Sequence, residues 1–295
     1  AANDTPTVTA EDAGTLTDTA DDDTFANLTG SITATDPETA SLTYGIQTGT
    51  GSGHDVFGVT TYDVSKVGDY GTLYVDSDTG AYVYVPDDSA IEALSVNTSD
   101  TFTITATDDD GSPATGTALL TVTIEATNDK PLLSGFTSPL DVAENVSDQV
   151  IDSDITLSDV DSADLNAGTI TVSGLDAEDV VSLSSDTTIQ LDTDTGNVQY
   201  SANADGTGWV TVGTVGTDED TTGSGESLVI TLNDQATPAI AEKIIEHLTF
   251  SNNDDSPTAQ RTLSIVVTDG DGGTSAASTV VVNIAAANDT PTVTA

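Results

Sequence analysis

The chain has no cysteine and no methionine. Its only cations are Lys66, Lys130, Lys243 and Arg261, its only histidines His54 and His247, and just 4% of it is aromatic. Without cysteine there are no disulfides and no thiolate metal or redox sites, so an exported domain of this kind needs another staple, metal being the most plausible. Against 50 Asp and Glu, the four Lys and Arg leave a net charge of −46. That charge makes nucleic acid and anionic membranes poor partners, and a compact state would repel itself unless cations intervene. No apolar run approaches the length of a membrane helix and no signal peptide is visible. The two histidines stand far apart in sequence, so no nucleophile with a positioned base is apparent. Nothing singles out one carboxylate pair as a glycosidase dyad. The acid-labile Asp36-Pro37 bond lacks the motif of a self-cleavage point. The chain is not expected to be an enzyme.

What is present is strand pattern. Charged residues are 18% of the chain and hydrophobic ones 36%, so the acidity does not mean disorder. Leu28, Ile32 and Ala34 alternate with Thr and Ser, as do Phe102, Ile104 and Ala106, then Leu120, Val122 and Ile124. Leu263, Ile265, Val267 and Val280, Val282, Ile284 repeat that ending further on. These read as half-buried antiparallel strands, each final pair bracketing an acidic glycine turn, Asp108 to Gly111 and Asp269 to Gly272. Two further hairpins share a turn, Asp76-Ser77-Asp78-Thr79-Gly80 and Asp192-Thr193-Asp194-Thr195-Gly196. Asp followed by Gly suits tight hairpins, so these Asp residues read first as turn formers and only second as ligands. Ser89-Ala90-Ile91-Glu92 has capping-box spacing for one helical turn, and Thr237-Pro238 with Ile240, Ile244, Ile245 and Leu248 reads as a capped amphipathic helix. Each is placed just before the penultimate strand of its module. The fold expected is all-β, two tandem Greek-key sandwiches of the immunoglobulin or cadherin kind, the second with a short crossover helix. Trp209 reads as a core or strand aromatic.

The nine residues from Ala2 to Ala10 recur unchanged from Ala287 to Ala295, with a divergent copy at Thr127-Asn128-Asp129-Lys130-Pro131. From Asn3 to Asn128 is 125 residues and from Asn128 to Asn288 is 160. Two unlike modules therefore sit between equivalent joints, 1–127 and 128–287, with 288–295 starting a further copy. The chain reads as a slice of a tandem array, continuing past Ala295 with a sequence like Glu11 to Leu16. Such arrays span distance or present surface.

The residues also carry a resemblance. Gly14-Thr15-Leu16-Thr17, Gly71-Thr72-Leu73-Tyr74 and Thr105 to Gly111 resemble the VCBS repeat of giant RTX-type bacterial surface adhesins. Val142-Ala143-Glu144-Asn145, Asp159-Val160-Asp161, the helix near 238–248 and Thr268 to Gly273 resemble the cadherin-like repeats of the same proteins. The resemblance implies a calcium-stiffened adhesin or biofilm matrix protein, exported by a type I route and displayed at the cell surface. In the cadherin pattern Glu11 and Glu144 match the first-strand glutamate, Asp159 and Asp161 the Asp-x-Asp pair, and Asn128-Asp129 and Asn288-Asp289 the joint. The first module departs from it, with Asp36-Pro37-Glu38 in the early loop, facing Asn3-Asp4.

Calcium is also argued by the acids alone. It takes six to eight oxygens, and anions converging without basic partners are costly unless a cation sits among them. The candidate ligands at the central joint are Glu11, Asn128, Asp129, Asp159, Asp161, Asp269 and Asp271, with Asp87, Asp88 and Asp100 as guesses. At the outer joints they are Asn3, Asp4, Asp36, Glu38, Asp108, Asp110, Glu144, Asn288 and Asp289. The alternative is that these residues cap turns and solvate the surface. The function expected is a spacer holding a terminal domain away from the cell. Its partners would be neighbouring repeats and, through domains outside this sequence, other surface proteins or glycans. The alternatives are a repeat forming the wall of a filament, sheath or surface layer, and, more weakly, a carbohydrate-binding module using Trp209 or the tyrosines at 70–84.

Overall fold

The computed structural model describes the chain apart from residues 1–2, 10, 39–40, 57–58, 110–111, 217–222 and 288–295, with only the backbone described at 52–56, 59–61 and 223–224. It divides into two compact units, Ala1–Asn128 and Asp129–Ala295, each with its own apolar core. Both are β-sandwiches.

In unit 1 a four-stranded sheet runs in the order Glu11–Thr17, Thr115–Glu125, Thr98–Asp108, Leu42–Ile46. A five-stranded sheet has the order Leu28–Ser31, Ala81–Pro86, Gly71–Val75, Val59–Val67, Thr50–Val56. Alternation sends one side of each strand inward. Phe102, Ile104 and Ala106 of one strand and Leu120, Val122 and Ile124 of its hairpin partner are wholly buried. Against them lie Leu73, Val75 and Tyr84 of the other sheet, the Tyr84 ring meeting Phe102 edge-on with centroids 5.9 Å apart. The chain enters beside its own end: Glu11–Thr17 pairs in parallel with the last strand, Thr115–Glu125. Local neighbours could not make that pairing, which is what makes the topology a Greek key.

Unit 2 repeats the closure, with Leu140–Ala143 parallel to the last strand Ser278–Ala285. Its larger sheet has eight strands, ending Asn197–Tyr200 and Ile189–Asp192, and its smaller sheet four. The helix Pro238–Glu246 is capped by the Thr237 hydroxyl, which accepts from the Ile240 N–H at 3.3 Å, and lays Ala241, Ile244 and Ile245 on the core.

Two helix expectations are corrected. The helix of unit 1 spans Asp88–Glu92 and its cap is Asp87, whose carboxylate accepts from the Ala90 N–H at 3.3 Å and the Ser89 hydroxyl at 2.7 Å. An aspartate two residues upstream takes the cap from Ser89, and Glu92 turns inward instead of reaching back. In unit 2 the strand Leu248–Asn252 intervenes between the helix and the penultimate strand Gln260–Thr268. It is buried throughout and pairs in the smaller sheet with Asp179–Leu183.

Because each unit has its own core, damage to one should stay there. Phe102→Ala is expected to cost unit 1 about 3–5 kcal/mol. Urea unfolding followed by tyrosine near-ultraviolet dichroism, six of the seven tyrosines being in unit 1, should show the loss. Fluorescence of Trp209, the one tryptophan, should report an unchanged unit 2.

Candidate metal centres at the ends of the units

Acidic side chains gather at the ends of both sandwiches, because the sheets' inner faces are closed to them. At the leading end of unit 2 the turn Asp269 to Gly273 is wrapped around its own first side chain. One oxygen of Asp269, a fully buried residue, accepts from the N–H groups of Asp271 at 2.7 Å, Gly272 at 3.0 Å and Gly273 at 3.0 Å. Gly270 and Gly272 make the wrap possible by adopting φ of +94° and +121°. A side chain at Gly273 would strike the other Asp269 oxygen and the carbonyl of Asp129, so the leading segment and the final hairpin are in contact there. Gly270 packs against Asn166 and Gly168, at the end of the loop that carries Asp159 and Asp161. Asp159 Oδ1 accepts from the Ser162 N–H at 3.2 Å. Its Oδ2 and both oxygens of Asp161 are shielded from solvent with no hydrogen-bond partner. Burial first, then the closeness of the Asp161 carboxylate, pushes the Asp159 pKa up to about 6. Asp271 itself is exposed.

The leading end of unit 1 has the same parts. Asn3 donates to Asp108 Oδ2 at 3.1 Å and to the Ser112 carbonyl at 2.9 Å, while its own Oδ1 is shielded and unpartnered. Asp108 is buried, and Asp36 Oδ1 accepts from the Glu38 N–H at 3.0 Å. The Glu38 pKa is raised, by desolvation first and then by the charge of Asp4, which places those two side chains together. Asp110, Asn288 and Asp289 lie outside the described residues.

At the trailing ends, strand register identifies equivalent positions. In unit 1 the residue after the first strand is Asp18. Its N–H donates to the Glu125 carbonyl at 2.9 Å, and its Oδ2 accepts from the Thr127 N–H at 2.9 Å. In unit 2 the same position is Glu144, its N–H on the Ala285 carbonyl at 3.1 Å and its Oε1 accepting from the Ala287 N–H at 2.7 Å. Glu11 stands elsewhere, paired with Leu120, seven residues before Asp18 and on the order of 20 Å away by strand rise.

Around Asp18 lie two more carboxylates, and the ligand oxygens of Asp18, Asp23 and Glu92 all fall within 4.8 Å of one another. Glu92 is 3% exposed and neither of its oxygens has a hydrogen-bond partner. Burial first, opposed by a nearby Asp23 N–H and helped by the charges of Asp18 and Asp23, pushes its pKa up to about 7. This trio was not among the expected ligands, since Glu92 read as a capping-box residue and Asp18 and Asp23 lie in an acidic run with no spacing signal. The guessed residues have other duties. Asp87 caps the helix, Asp88 Oδ1 accepts from the Phe25 N–H at 3.1 Å, and Asp100 is buried against the Tyr84 hydroxyl at 3.0 Å and the Tyr70 N–H at 3.2 Å. Burial, then the Asp100 carboxylate, raises the Tyr84 pKa.

Of the other candidates, Tyr82 and Tyr84 are core residues, and Tyr74 lines an open cleft of about 520 Å³ with Asp69 and Asp88. His247 is a structural tie, its Nδ1 at 2.7 Å from the Lys243 carbonyl and its Nε2 at 3.2 Å from Asp186.

No protein-family profile and no characterised protein matches the sequence. Among solved structures the chain is similar to mouse cadherin-23 EC22-24, at 15% identity, 96% coverage of this chain, 67% of that one and a TM-score of 0.39. It is also similar to human CDH23 EC21-23, at 14% identity, 96% and 70% coverage and a TM-score of 0.37. A third is protocadherin gammaB7 EC3-6, at 14% identity, 95% and 52% coverage and a TM-score of 0.37.

The buried Glu92 has a signed consequence in metal-free protein. A carboxyl whose pKa is raised by folding makes folding take up a proton. Its stabilising contribution is complete below the ordinary value of 4.5 and is lost as pH rises through about 7. In chelator, the stability of unit 1 should fall between pH 5 and pH 8, and Glu92→Gln should flatten that fall, as measured by the melting temperature of the tyrosine signal.

Proposed function

We propose that this chain is a calcium-stiffened extender repeat of an extracellular surface protein. In this reading its work is mechanical, to hold other domains at a distance for adhesion or matrix building. The observation that supports it is common to both leading ends: leading segment, early loop and final hairpin each carry acidic or amide side chains there. At the leading end of unit 2, Asp159 and Asp161 bury three carboxylate oxygens that have no donor. The whole sequence has only four Lys and Arg against 50 Asp and Glu. Oxygen-only ligands in flexible loops suit calcium, and extracellular sites of that kind bind at roughly 10⁻⁴–10⁻³ M.

Calcium would act on each unit by fastening its leading segment, Asn3-Asp4 in one and Asp129 in the other, to the loops of the sandwich behind it. A segment so fastened loses the freedom of a linker. In place of the disulfides it lacks, the protein would then draw its stiffness from the high calcium concentration outside the cell. The resemblance to VCBS and cadherin-like repeats of RTX-type adhesins supports display on a bacterial surface. No helix among the described residues is long and apolar enough to cross a membrane.

Calorimetry checks this reading. Millimolar calcium should raise the melting temperature, and Asp159→Asn with Asp161→Asn should remove most of the gain recorded by Trp209 while leaving the fold intact in chelator. Equal melting temperatures with and without calcium would refute it. Light scattering that climbs on calcium addition would instead favour a repeat that builds the wall of a filament, sheath or surface layer.

A further inference from the structure

The outward face of the five-stranded sheet in unit 1 carries a cleft that the extender reading does not use. Leu73 and Val75 point into the core, so Thr72 and Tyr74 of the same strand point out. Register sets Thr72 between Val67 and Val85, a row about 10 Å wide by strand spacing. Tyr74 stands one step further along that face, and all four residues line the cleft of about 520 Å³. Val67 is 76% exposed, and Val85 and Tyr74 are half-buried, so the floor offers apolar surface to solvent.

This cleft is built into the fold. The Gly68 N–H donates to the Gly71 carbonyl at 2.8 Å, closing the turn on one side. The Asp87 N–H donates to the Tyr70 carbonyl at 2.9 Å, tying that turn to the segment on the other side. Beneath lies Asp100, buried, accepting from the Tyr84 hydroxyl at 3.0 Å and the Tyr70 N–H at 3.2 Å. A side chain at Gly68 would strike the Asp100 carboxylate and one at Gly71 the Tyr84 ring, so the turn lies directly on this buried pair. Walls fixed in advance spare a ligand the cost of ordering them.

The lining chemistry narrows the ligand. Asp69, Asp87, Asp88 and Ser89 rim the cleft, with no Lys, Arg or His among the described residues that line it. Lys66 faces the other side of the sheet, opposite Leu73. One oxygen of Asp87 is used by the Ser89 hydroxyl and the Ala90 N–H, and one of Asp88 by the Phe25 N–H. Ionised carboxylates accept hydrogen bonds and donate none. A fitting ligand therefore brings several donors together with an apolar face for Val67, Val85 and Tyr74, and an anionic one would be repelled. A pyranose ring has that form, with C–H groups on its faces and hydroxyls round its edge. The ammonium of a lysine brings donors at one point only, whereas these carboxylates belong to two segments, the turn after Val67 and the segment after Val85.

We propose that this cleft binds sugar units of a glycan that carries no acidic groups, with Tyr74 and the Val67–Thr72–Val85 row as the platform and the rim carboxylates as acceptors for its hydroxyls or amine. The site takes no metal, and it belongs to unit 1 alone.

The inference does not rest on the calcium reading, and its test separates the two. Saturation-transfer NMR on the full chain, in calcium and in chelator, should use tetrasaccharides of glucose, galactose, mannose, N-acetylglucosamine and glucosamine, with tetragalacturonate and tetralysine as contrasts. At least one of these neutral or amino sugars should bind with a Kd of about 1 mM or tighter. It should do so equally in both conditions and in the chain carrying Asp159→Asn with Asp161→Asn, and tetragalacturonate should not bind. Tyr74→Ala should weaken the binding at least tenfold. Asp69→Asn, a change at an exposed residue, should weaken it at least threefold while the dichroism of the parent is kept. No binding by any of these neutral or amino sugars, binding unaltered in both variants, binding of tetragalacturonate, or transfer to tetralysine alone overturns the glycan site. Sugar binding that requires calcium overturns it as well.

Discussion

Repulsion between carboxylates is the constraint on which the rest of this structure depends. With 50 acids and four Lys and Arg, most of the acids can have no cationic partner within the chain, so their placement is decided by where a carboxylate can be solvated or supplied with donors. The middles of the inner faces are filled by Ile, Leu, Val, Phe and Tyr, and buried strand acids such as Asp100, Asp108 and Asp179 stand at or near strand ends. The acids are left to turns and to the ends of the sandwiches. There the backbone serves as the commonest donor: Asp76 and Asp192 each accept from the N–H groups two and three residues further on, and Asp269 accepts from three. A carboxylate held by several N–H groups can stay ionised out of water. One held by none, like Glu92, cannot do so cheaply.

The parallel pairing of first and last strands turns this local chemistry into a repeated device. It brings the residue after the first strand beside the segment that leaves the unit, so a single acid, Asp18 or Glu144, grips the exit through a backbone N–H two residues beyond the last strand. The leading segment is gripped in turn by the final hairpin, through Asn3 on Asp108 in unit 1 and through the closeness of Asp129 to Asp269 in unit 2. Each unit is therefore tied at both ends through acidic and amide side chains.

Where the units diverge, they diverge in charge and not in shape. Asp100 and Arg261 occupy the same place in the register, both buried, both hydrogen-bonded. One uses tyrosine and a backbone N–H to satisfy an anion; the other uses two aspartates to satisfy a cation. A buried pair such as Arg261 with Asp179 adds little net stability, but losing either member leaves an uncompensated charge, so this corner of unit 2 is fixed without outside help.

The sequence by itself determined the all-β class, because period-two alternation in Phe102, Ile104 and Ala106 or Leu263, Ile265 and Val267 has one stable use, a sheet with one face buried. It determined the turns, since Asp and Gly at those spacings hydrogen-bond locally, and the helix at Pro238, whose cap and apolar stripe lie within a few residues of each other. Only the tertiary structure decided which acids meet. Glu11 begins the first strand and Asp18 follows it, and which of them reaches the trailing end depends on the register with Thr115–Glu125, about a hundred residues away. Glu92 looked like a local capping residue until Asp87 took the cap and packing turned its side chain toward Asp18 and Asp23. Hydrophobic pattern and turn chemistry act between neighbours and are written in the order of residues; the approach of like charges is imposed by the fold against their own preference, and no local pattern records it.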